Sequence, residues 1–346
     1  MPSAIASARR VALITGGNSG VGLALAQRLV AHSIESQQPL TLLLGCRNAK
    51  KAQAARARIL AQHEPWQTTC EIEHVAVDTS SVQSVLQAAA HVRGRYGRLD
   101  RLFLNAGAMS IEGLDVWGIV RGLLTHPIQF FESSEALRQG RGEVTADGLG
   151  KVFQTNVFGH YLLVAELAGL LGATPGARVV WTGSSASKLE FSRADYQHVN
   201  GFKSYESSKY IVDQVAPLMD ARLRKGGAAR CYVAEPGNVR SGFLAALGHT
   251  WLEYLILLAF YFCRLVLGLG RFTITPERGA EACWHLATEE DDHLDSQLKY
   301  HSEVDRLGRP RVVPVPLSLN AGTGAFLVQR MDLLIEKYGS KWSGPQ

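Results

Sequence analysis

Short apolar runs and segments with helical spacing alternate along most of this 346-residue chain. The helical pattern is clearest at 23–31, 81–96 and 145–171 and in the segment around Tyr205. The apolar runs, bounded by glycine or polar residues, predict buried strands at 11–15, 40–44, 71–77, 101–104, 177–182 and 229–234. This alternation is typical of a doubly wound parallel sheet, so the pattern predicts one α/β domain over residues 1–346.

Two segments depart from this alternation. Residues 109–143 form an insertion with apolar side chains at roughly helical spacing, which predicts either a cover for an apolar substrate or a peripheral helix. The second segment, 243–272, contains the apolar run 251–270, whose charged residues Glu253 and Arg264 fall on one face of a helix. Later segments look like parts of the same domain, which argues against a single membrane crossing. The alternatives are a helix in the membrane interface, a lid over the substrate mouth, and a buried core helix.

Composition and charge narrow the classes of partner. The net charge is +5, but no basic block with interleaved aromatic residues occurs, so a nucleic-acid partner is not expected. Five cysteines without CxxC spacing predict reduced thiols in a reducing compartment, and the N-terminus lacks the apolar stretch of a secretory signal. The domain is therefore expected to face the cytosol. No histidine pair has metal-ligand spacing, and the acidic run 289–292 is interpreted as a solvated loop, so no metal is predicted.

A glycine-rich turn at residues 15–22 lies between the first predicted strand and the first predicted helix. Glycines there let the backbone approach a pyrophosphate, and the helix N-terminus offers unpaired N–H groups to it. An ordinary tight turn is the alternative, but the flanking strand and helix are those of a Rossmann-type dinucleotide site. After the next strand, Arg47 stands where an NAD-binding fold usually has a carboxylate. An arginine can pair with a 2′-phosphate, which favours NADPH over NADH; a solvated arginine is the alternative.

Tyr205 and Lys209 are one helical turn apart and share a helix face. A neighbouring cation favours the phenolate and lowers the pKa of a tyrosine from its usual value of about 10, which makes the pair a candidate proton donor and acceptor. The spacing alone is common on helix surfaces. The interpretation of Tyr205 and Lys209 as a catalytic pair is supported by several other polar or turn-forming residues. These directly follow predicted strands, at the edge of the sheet that carries the glycine turn. These residues are Asp78, Asn105, Ser184, Pro236 and Gly237.

Taken together, these motifs resemble the short-chain dehydrogenase/reductase family over roughly the first 240 residues. The resemblance is carried by the glycine turn and by Asn105, Ala106, Gly107, Asn156, Ser184, Tyr205 and Lys209. More narrowly, residues 104–107, 145–149, 153–160 and 205–210 resemble the 3-keto-steroid reductases of sterol biosynthesis. The insertion and the late apolar segment are also similar to theirs, which extends the resemblance over most of the chain.

The narrower resemblance implies NADPH-dependent reduction of a 3-keto sterol to the 3β-hydroxy sterol, after C4-demethylation. It implies a location at the endoplasmic reticulum membrane with the catalytic domain facing the cytosol, and other enzymes of sterol C4-demethylation as candidate partners. The alternatives are a reductase of another lipophilic carbonyl, such as a 17-keto steroid or a retinoid, and a non-catalytic NADP-binding scaffold for membrane sterol enzymes.

The family resemblance also implies roles for individual residues. Tyr205 would donate a proton to the carbonyl oxygen, Lys209 would hold the nicotinamide ribose and lower the pKa of the tyrosine, and Asn156 would anchor a water. Ser184 would hydrogen-bond the carbonyl oxygen and is preferred by strand register, although Ser185 is adjacent. The cofactor-binding residues that it implies are Thr15, Gly16, Asn18, Ser19, Gly20, Val21, Gly22, Arg47, Asp78, Asn105, Ala106, Gly107, Tyr205, Lys209, Pro236, Gly237, Val239 and Ser241.

Overall fold

A computed structural model gives the structure of the chain and describes residues 9–63, 70–125, 130, 137–187, 191–240, 250–340 and 342. Its described strands are β1 (Arg10–Thr15), β2 (Leu40–Cys46), β3 (Cys70–Ala76), β4 (Arg101–Leu104), β5 (Ile111–Leu114), β6 (Leu137–Gln139), β7 (Arg178–Thr182), β8 (Arg230–Glu235), β9 (Leu298–Val304) and β10 (Pro310–Pro316). Its described α-helices are α1 (Gly20–Glu35), α2 (Ala49–Leu60), α3 (Val82–Arg95), α4 (Val116–Thr125), α5 (Lys151–Phe153), α6 (Gly159–Gly172), α7 (Ser204–Lys225), α8 (Thr250–Leu265), α9 (Pro276–Gly279), α10 (Glu281–Thr288) and α11 (Ala321–Lys337).

Eight strands form one twisted sheet in the order β10-β9-β8-β7-β4-β1-β2-β3. All neighbouring pairs are parallel except β9 with β10, so the predicted doubly wound α/β fold is confirmed, with an antiparallel strand at one edge. The chain runs outwards from β1 in one direction and then crosses to β4. The reversal between β1 and β4 is the switch point at which such sheets bind ligands, beyond the carboxyl ends of the strands.

Each face of the sheet is covered by helices. Leu13 points into a core cluster shared with α3, α6, α7 and α11, whereas the next residue, Ile14, points into a second cluster shared with α1 and α10. This alternation follows from the period of two along a strand, and burial on both faces explains the continuous apolar runs of the central strands.

The six predicted strands are confirmed within two residues at each end, but β9 and β10 were not predicted as strands. Both carry atypical sequences. The interior of β9 is polar, with Lys299, His301 and Ser302 all buried. In β10, Pro310, Pro314 and Pro316 recur at even positions, where an edge strand can lack an N–H donor without losing a ladder bond.

The long helix predicted over 145–171 is wrong at its start. Residues 144–150 form a turn in which the Thr145 N–H donates to the Leu149 carbonyl, and Gly148 has a φ of +76°. Helical structure begins with α5, passes through one π-helical turn, Gln154–Phe158, and continues as α6. Asp147 lies in the turn at residues 144–150 and accepts a hydrogen bond from the Val82 N–H at the start of α3.

The insertion 109–143 is only partly helical in the described residues. A two-stranded antiparallel ladder, β5 with β6, flanks α4, while residues 126–129 and 131–136 lie outside the described part. Gln139, at the end of β6, is buried against the start of α7, where its side chain accepts from the Tyr205 N–H and donates to Glu206. The insertion therefore supports the helix that carries Tyr205.

The late apolar segment contains α8, and residues 241–249 lie outside the described part. Tyr254, Leu258, Phe262 and Val266 recur every four residues and are exposed, so the alternative of a buried core helix is wrong. Arg264 instead points inwards and its guanidinium lies 4.8 Å from the ring centroid of Tyr261. Within the described residues, no helix combines the length and apolar character needed to cross a membrane.

The cysteines and acidic residues behave as ordinary structural groups. All five cysteines are free thiols, and four of them are buried. In the acidic run 289–292, Asp291 pairs with the buried Arg178 at 2.6 Å, so that this residue is an ion-pair partner as well as a loop residue. Among the described residues, no group of three His, Cys, Asp or Glu side chains is arranged to hold a metal ion.

Candidate active site

The glycine turn after β1 leaves the N-terminus of α1 open. Gly16 and Gly20 have φ values of +68° and +53°, and a Cβ atom at Gly20 would meet nothing within 4 Å. A Cβ at Gly22 would lie 2.5 Å from the Gly16 carbonyl oxygen, so this close turn requires glycine. Ser19, the N-cap, makes no side-chain cap bond, so the first N–H groups of α1 are available to an anion.

Three other residues of the turn were predicted to bind the cofactor. Asn18 is half-buried, Ser19 is exposed, and Val21 is half-buried beneath the turn. Open space above Gly20, uncapped N–H groups and a tight backbone fit the pyrophosphate of a bound dinucleotide.

Thr15 connects the turn to the end of β4. Its hydroxyl oxygen accepts from the N–H groups of Asn105 and Ala106, and it lies 3.0 Å from His160 Nε2. His160 Nδ1 faces the Asn156 carbonyl at 3.3 Å, so Nδ1 carries the proton and Nε2 is an acceptor. The proton of the Thr15 hydroxyl has two acceptors within reach, His160 Nε2 and the Phe103 carbonyl at 3.2 Å. Burial lowers the pKa of His160 to about 3, which keeps the ring neutral.

The Asn105 side chain holds the glycine turn in place. Its Nδ2 donates to the Thr15 carbonyl at 3.1 Å and lies within 3.5 Å of the Gly16 carbonyl. Asn105 was expected to bind the cofactor; these two bonds make it a support for the loop as well. Gly107 follows close to Asn156, whose Oδ1 would lie 3.4 Å from a Cβ at that position.

Arg47 and Asp78 end neighbouring strands and lie side by side. An Arg47 guanidinium nitrogen is 3.9 Å from Asp78 Oδ2, and the arginine side chain is 74% exposed. Asp78 Oδ1 also accepts from the backbone and hydroxyl of Ser80, which fixes the carboxylate in its own turn. The exposed guanidinium at the carboxyl end of β2 is free to reach a phosphate in solution.

Tyr205, Ser184 and Lys209 meet at the carboxyl ends of β7 and β8. The hydroxyl that bonds the Tyr205 phenol is that of Ser184, and Lys209 Nζ donates to the Thr182 carbonyl at 2.7 Å. Burial raises the pKa of Tyr205, and its bond to Ser184 opposes that shift. The expected lowering of the tyrosine pKa by Lys209 is not found, because desolvation of the phenol dominates and the charges of Glu206 and Glu235 raise the pKa further. Burial also lowers the pKa of Lys209 itself to about 8.

Asn156 lies in the π-helical turn and clamps the segment after β4. Its Oδ1 accepts from the Ala108 N–H at 2.7 Å, and its Nδ2 donates to the Ala108 carbonyl at 2.9 Å and to Ser208 Oγ at 3.0 Å. The Asn156 amide thus connects the π-helical turn before α6 to Ser208 of α7, which lies one turn after Tyr205. Its expected role in anchoring a water stays a prediction.

The segment after β8 curves back towards the glycine turn. Gly237 has a φ of +69°, and a Cβ there would lie 2.6 Å from the Arg271 carbonyl oxygen. The Pro236 carbonyl accepts from the Thr273 hydroxyl, and Val239 bridges to Ile274. Ser241 lies outside the described residues.

Gly279 joins the two halves of the candidate site. A Cβ at this position would lie 2.5 Å from Val239 and 3.3 Å from Val21. The absence of a side chain thus lets α9 pack beneath both loops. Sequence reasoning gave no role to Gly279, Gln139 or His160; of the three, only His160 had a signal, since it lies one helical turn after Asn156.

Comparisons with known proteins show the family of this chain. A family model described as short chain dehydrogenase matches residues 10–123. The 3-keto-steroid reductase/17-beta-hydroxysteroid dehydrogenase 7 of Homo sapiens is 37% identical over 337 residues, which cover 95% of this chain and 94% of that protein. This chain belongs to the short-chain dehydrogenase/reductase family. It is an oxidoreductase of a family that uses NAD(P) and acts on a keto or hydroxyl group.

Other relatives of this family extend the similarity. The 3-keto-steroid reductase erg27 of Schizosaccharomyces pombe is 34% identical, with 90% of this chain and 92% of that protein covered. Among solved structures, an uncharacterised protein from Mycobacterium paratuberculosis superposes with a TM-score of 0.61 at 20% identity, covering 98% of this chain and 96% of the other. The structural likeness shows the family fold, and the two sequence relatives extend over nearly the whole chain.

Proposed function

We propose that this protein reduces a 3-keto sterol to the 3β-hydroxy sterol with NADPH, in sterol biosynthesis after C4-demethylation. The observation that carries the proposal is that Ser184, Tyr205 and Lys209 come together at the sheet edge that also bears the glycine turn, with Lys209 Nζ 5.5 Å from the centroid of the Tyr205 ring. The choice of a 3-keto steroid is supported by the names of the human and fission-yeast relatives, which match over most of their length.

Reduction of a ketone needs a proton donor close to the carbonyl oxygen, and NADPH, when bound, supplies the hydride to the carbonyl carbon. The raised pKa of Tyr205 keeps the phenol protonated at neutral pH, as a donor requires. The Ser184 hydroxyl, already in contact with the phenol, can donate to the same oxygen as negative charge develops on it. Lys209 then places a positive charge within 5.5 Å of the tyrosine ring.

NADPH is the proposed cofactor because of the charge at the adenosine end. Arg47 is exposed at the end of β2, where a carboxylate would repel a 2′-phosphate. Its neighbour Asp78 is 3.9 Å away, is partly exposed to solvent and accepts a hydrogen bond from Ser80. The arginine can therefore turn towards a phosphate while the Asp78 carboxylate keeps its other hydrogen bond.

We further propose that the protein works at the cytosolic surface of the endoplasmic reticulum membrane, close to other enzymes of sterol C4-demethylation. The support is the exposed apolar face of α8, which continues past the helix end to Val266 and Leu267. A sterol ketone dissolves in the bilayer, so a reductase lying on it would meet its substrate there.

The function is tested with purified protein and a panel of ketones under matched conditions: a 3-keto sterol, a 17-keto steroid and a retinal. Nicotinamide absorbance is followed with NADPH and with NADH, and the product is identified by mass spectrometry. We expect the 3β-alcohol from the 3-keto sterol, with NADPH used in preference. Formation of no 3β-alcohol, or faster turnover of another ketone, would contradict the proposal, and equal use of NADH would contradict the cofactor assignment.

A further inference from the structure

A second lysine lies buried next to the Ser184–Tyr205–Lys209 group. Lys299 comes from β9, a strand with no part in the motifs of the family, and is 7% exposed. Its Nζ lies 2.6 Å from Asp213 Oδ2, 2.8 Å from Ser187 Oγ and 3.2 Å from the Ser184 carbonyl oxygen. The three N–H donors of the ammonium thus have three partners. One of these partners is the backbone of the serine that contacts Tyr205.

Asp213 lies on α7 one turn after Lys209, on the same helix face. It is buried, and its Oδ2 accepts from Ser187 Oγ at 2.6 Å as well as from Lys299. Asp213 Oδ1 is buried without a hydrogen-bond partner in the described structure. Burial raises the pKa of Asp213, and the charges of Lys299 and Lys209 both oppose that shift.

We propose that Asp213 and Lys299 are positioning residues for carbonyl reduction: the pair fixes the Ser184 segment against α7 and sets the charge on Lys209. The proposal rests on the proposed reductase function. Lys299 acts on the segment 184–187 through two hydrogen bonds, and Asp213 acts on Lys209 through its charge. Neither side chain is assigned a contact with the substrate.

The charges around Lys209 decide whether a substitution of Asp213 or Lys299 raises or lowers the pKa of Lys209. Burial lowers the pKa of Lys209 to about 8, Lys299 lowers it as well, and Asp213 raises it. Glu235 on β8 lies 3.9 Å from Lys299 and 3.5 Å from His301 Nε2, and the charge of Arg271 acts on His301. Glu206, beside Tyr205 on α7, accepts a hydrogen bond from Gln139 and acts on Tyr205 through its charge.

Opposite substitutions therefore have opposite electrostatic effects. Asp213→Asn removes the carboxylate charge that acts on both lysines, so Lys209 should lose its proton at a lower pH. Lys299→Met removes the competing cation, so Lys209 should keep its proton to a higher pH, while the Ser184 segment loses its anchor. Lys299→Arg keeps the charge and should leave the titration nearly unchanged.

Cofactor affinity as a function of pH tests the proposal without turnover. NADPH binding is followed by fluorescence from pH 6 to 10 for the native protein and for Asp213→Asn, Lys299→Met and Lys299→Arg. We expect the alkaline loss of affinity to move to lower pH in Asp213→Asn, by about one unit, and to higher pH in Lys299→Met. A shift of one unit around the native midpoint weakens binding about fivefold there. Lys299→Met should also lower kcat on the 3-keto sterol more than it changes KM.

Asp220→Asn is the matched control, because Asp220 is a buried carboxylate on the same helix and pairs with Arg230 at 3.0 Å, away from the site. We expect it to lower stability without moving the pH dependence. Equal shifts in Asp213→Asn and Asp220→Asn, or no shift in Lys299→Met, would overturn the proposal. If Asp213→Asn does not fold, the contrast between Lys299→Met and Lys299→Arg decides. Failure of the native protein to reduce the 3-keto sterol, with these binding shifts present, would instead contradict the substrate assignment.

Discussion

At the scale of single residues, the phenol of Tyr205 combines a raised pKa with a hydrogen bond from a neighbouring hydroxyl. The residue is partly buried at the carboxyl edge of the sheet, and its backbone N–H is fixed by Gln139. These contacts orient a protonated phenol before any substrate arrives. A proton donor held in this way is expected to dominate the rate of the reduction.

Tyr205→Phe is therefore expected to lower kcat by about two to four orders of magnitude, the range typical of general acids. NADPH affinity should stay within a factor of about three, because the ring and its packing remain. Steady-state kinetics and fluorescence titration measure the two effects. Tyr210→Phe, a buried tyrosine on the same helix, serves as the control and should leave kcat nearly unchanged. Retained turnover in Tyr205→Phe would remove this residue from the proposed role.

At the scale of elements, the segment leading into α6 is shaped by contact with the loop after β3. Gly159 is the first residue of α6, and its Cα faces the backbone of Thr79 so closely that a Cβ would overlap the Thr79 carbonyl oxygen. The π-helical turn directly before it, Gln154–Phe158, carries the Asn156 amide to the site. This close approach of the two segments therefore depends on glycine.

Gly159→Ala should destabilise the protein by about 2–4 kcal/mol, because the backbones of residue 159 and Thr79 must move apart to admit the methyl group. This cost exceeds the gain from the higher helix propensity of alanine. Gly94, in the last turn of α3, is the control: a Cβ there would meet nothing within 4 Å. Gly94→Ala should stabilise by about 0.5–1 kcal/mol. Urea denaturation of both variants measures the difference, and equal effects would show that the Thr79 contact does not limit α6.

The exposed face of α8 makes a separate prediction about membranes. Replacing both Leu258 and Phe262 with glutamate should reduce flotation with phosphatidylcholine vesicles by about tenfold or more, because each charge must leave water to enter the interface. Leu333→Glu, at an exposed leucine of α11, should leave flotation unchanged. Turnover of a detergent-solubilised ketone should persist in the double variant. Unchanged vesicle binding would place the membrane contact elsewhere or exclude it.

At the scale of the whole molecule, buried histidines couple stability to pH. Burial lowers the pKa of His160 to about 3 and that of His301 to about 4, both below the value of about 6.5 in an unfolded chain. Between these limits the unfolded chain binds more protons than the folded protein, so stability is fully present above about pH 6.5 and is lost as the pH falls.

His160→Gln should therefore flatten the dependence of unfolding free energy on pH between about 4 and 6, by about 1.4 kcal/mol per pH unit. Urea denaturation at several pH values measures the slope. His91→Gln, at an exposed histidine of α3, should leave the slope as it is in the native protein. An unchanged slope in His160→Gln would show that this histidine is charged in the folded state.

The parts of the fold that were predictable follow from local pattern. Burial of both faces makes the central strands continuously apolar, and the glycine turn lies between the first strand and helix as expected. The start of the helix predicted at Thr145 failed because Gly148 and Asp147 favour a turn that helical periodicity does not register. The strands β9 and β10 were missed because their polar and proline residues do not resemble strand interiors.

The sequence by itself determined six strands of the sheet, the glycine turn and the one-turn spacing of Tyr205 and Lys209, because each depends on neighbours within a few residues. Only the tertiary structure decided that Lys299 reaches Ser184, 115 residues earlier, and that Gln139 fixes the start of the tyrosine helix. It also decided that burial raises the pKa of Tyr205 despite the nearby lysine. Desolvation and contacts between distant segments arise from packing, which local spacing does not encode.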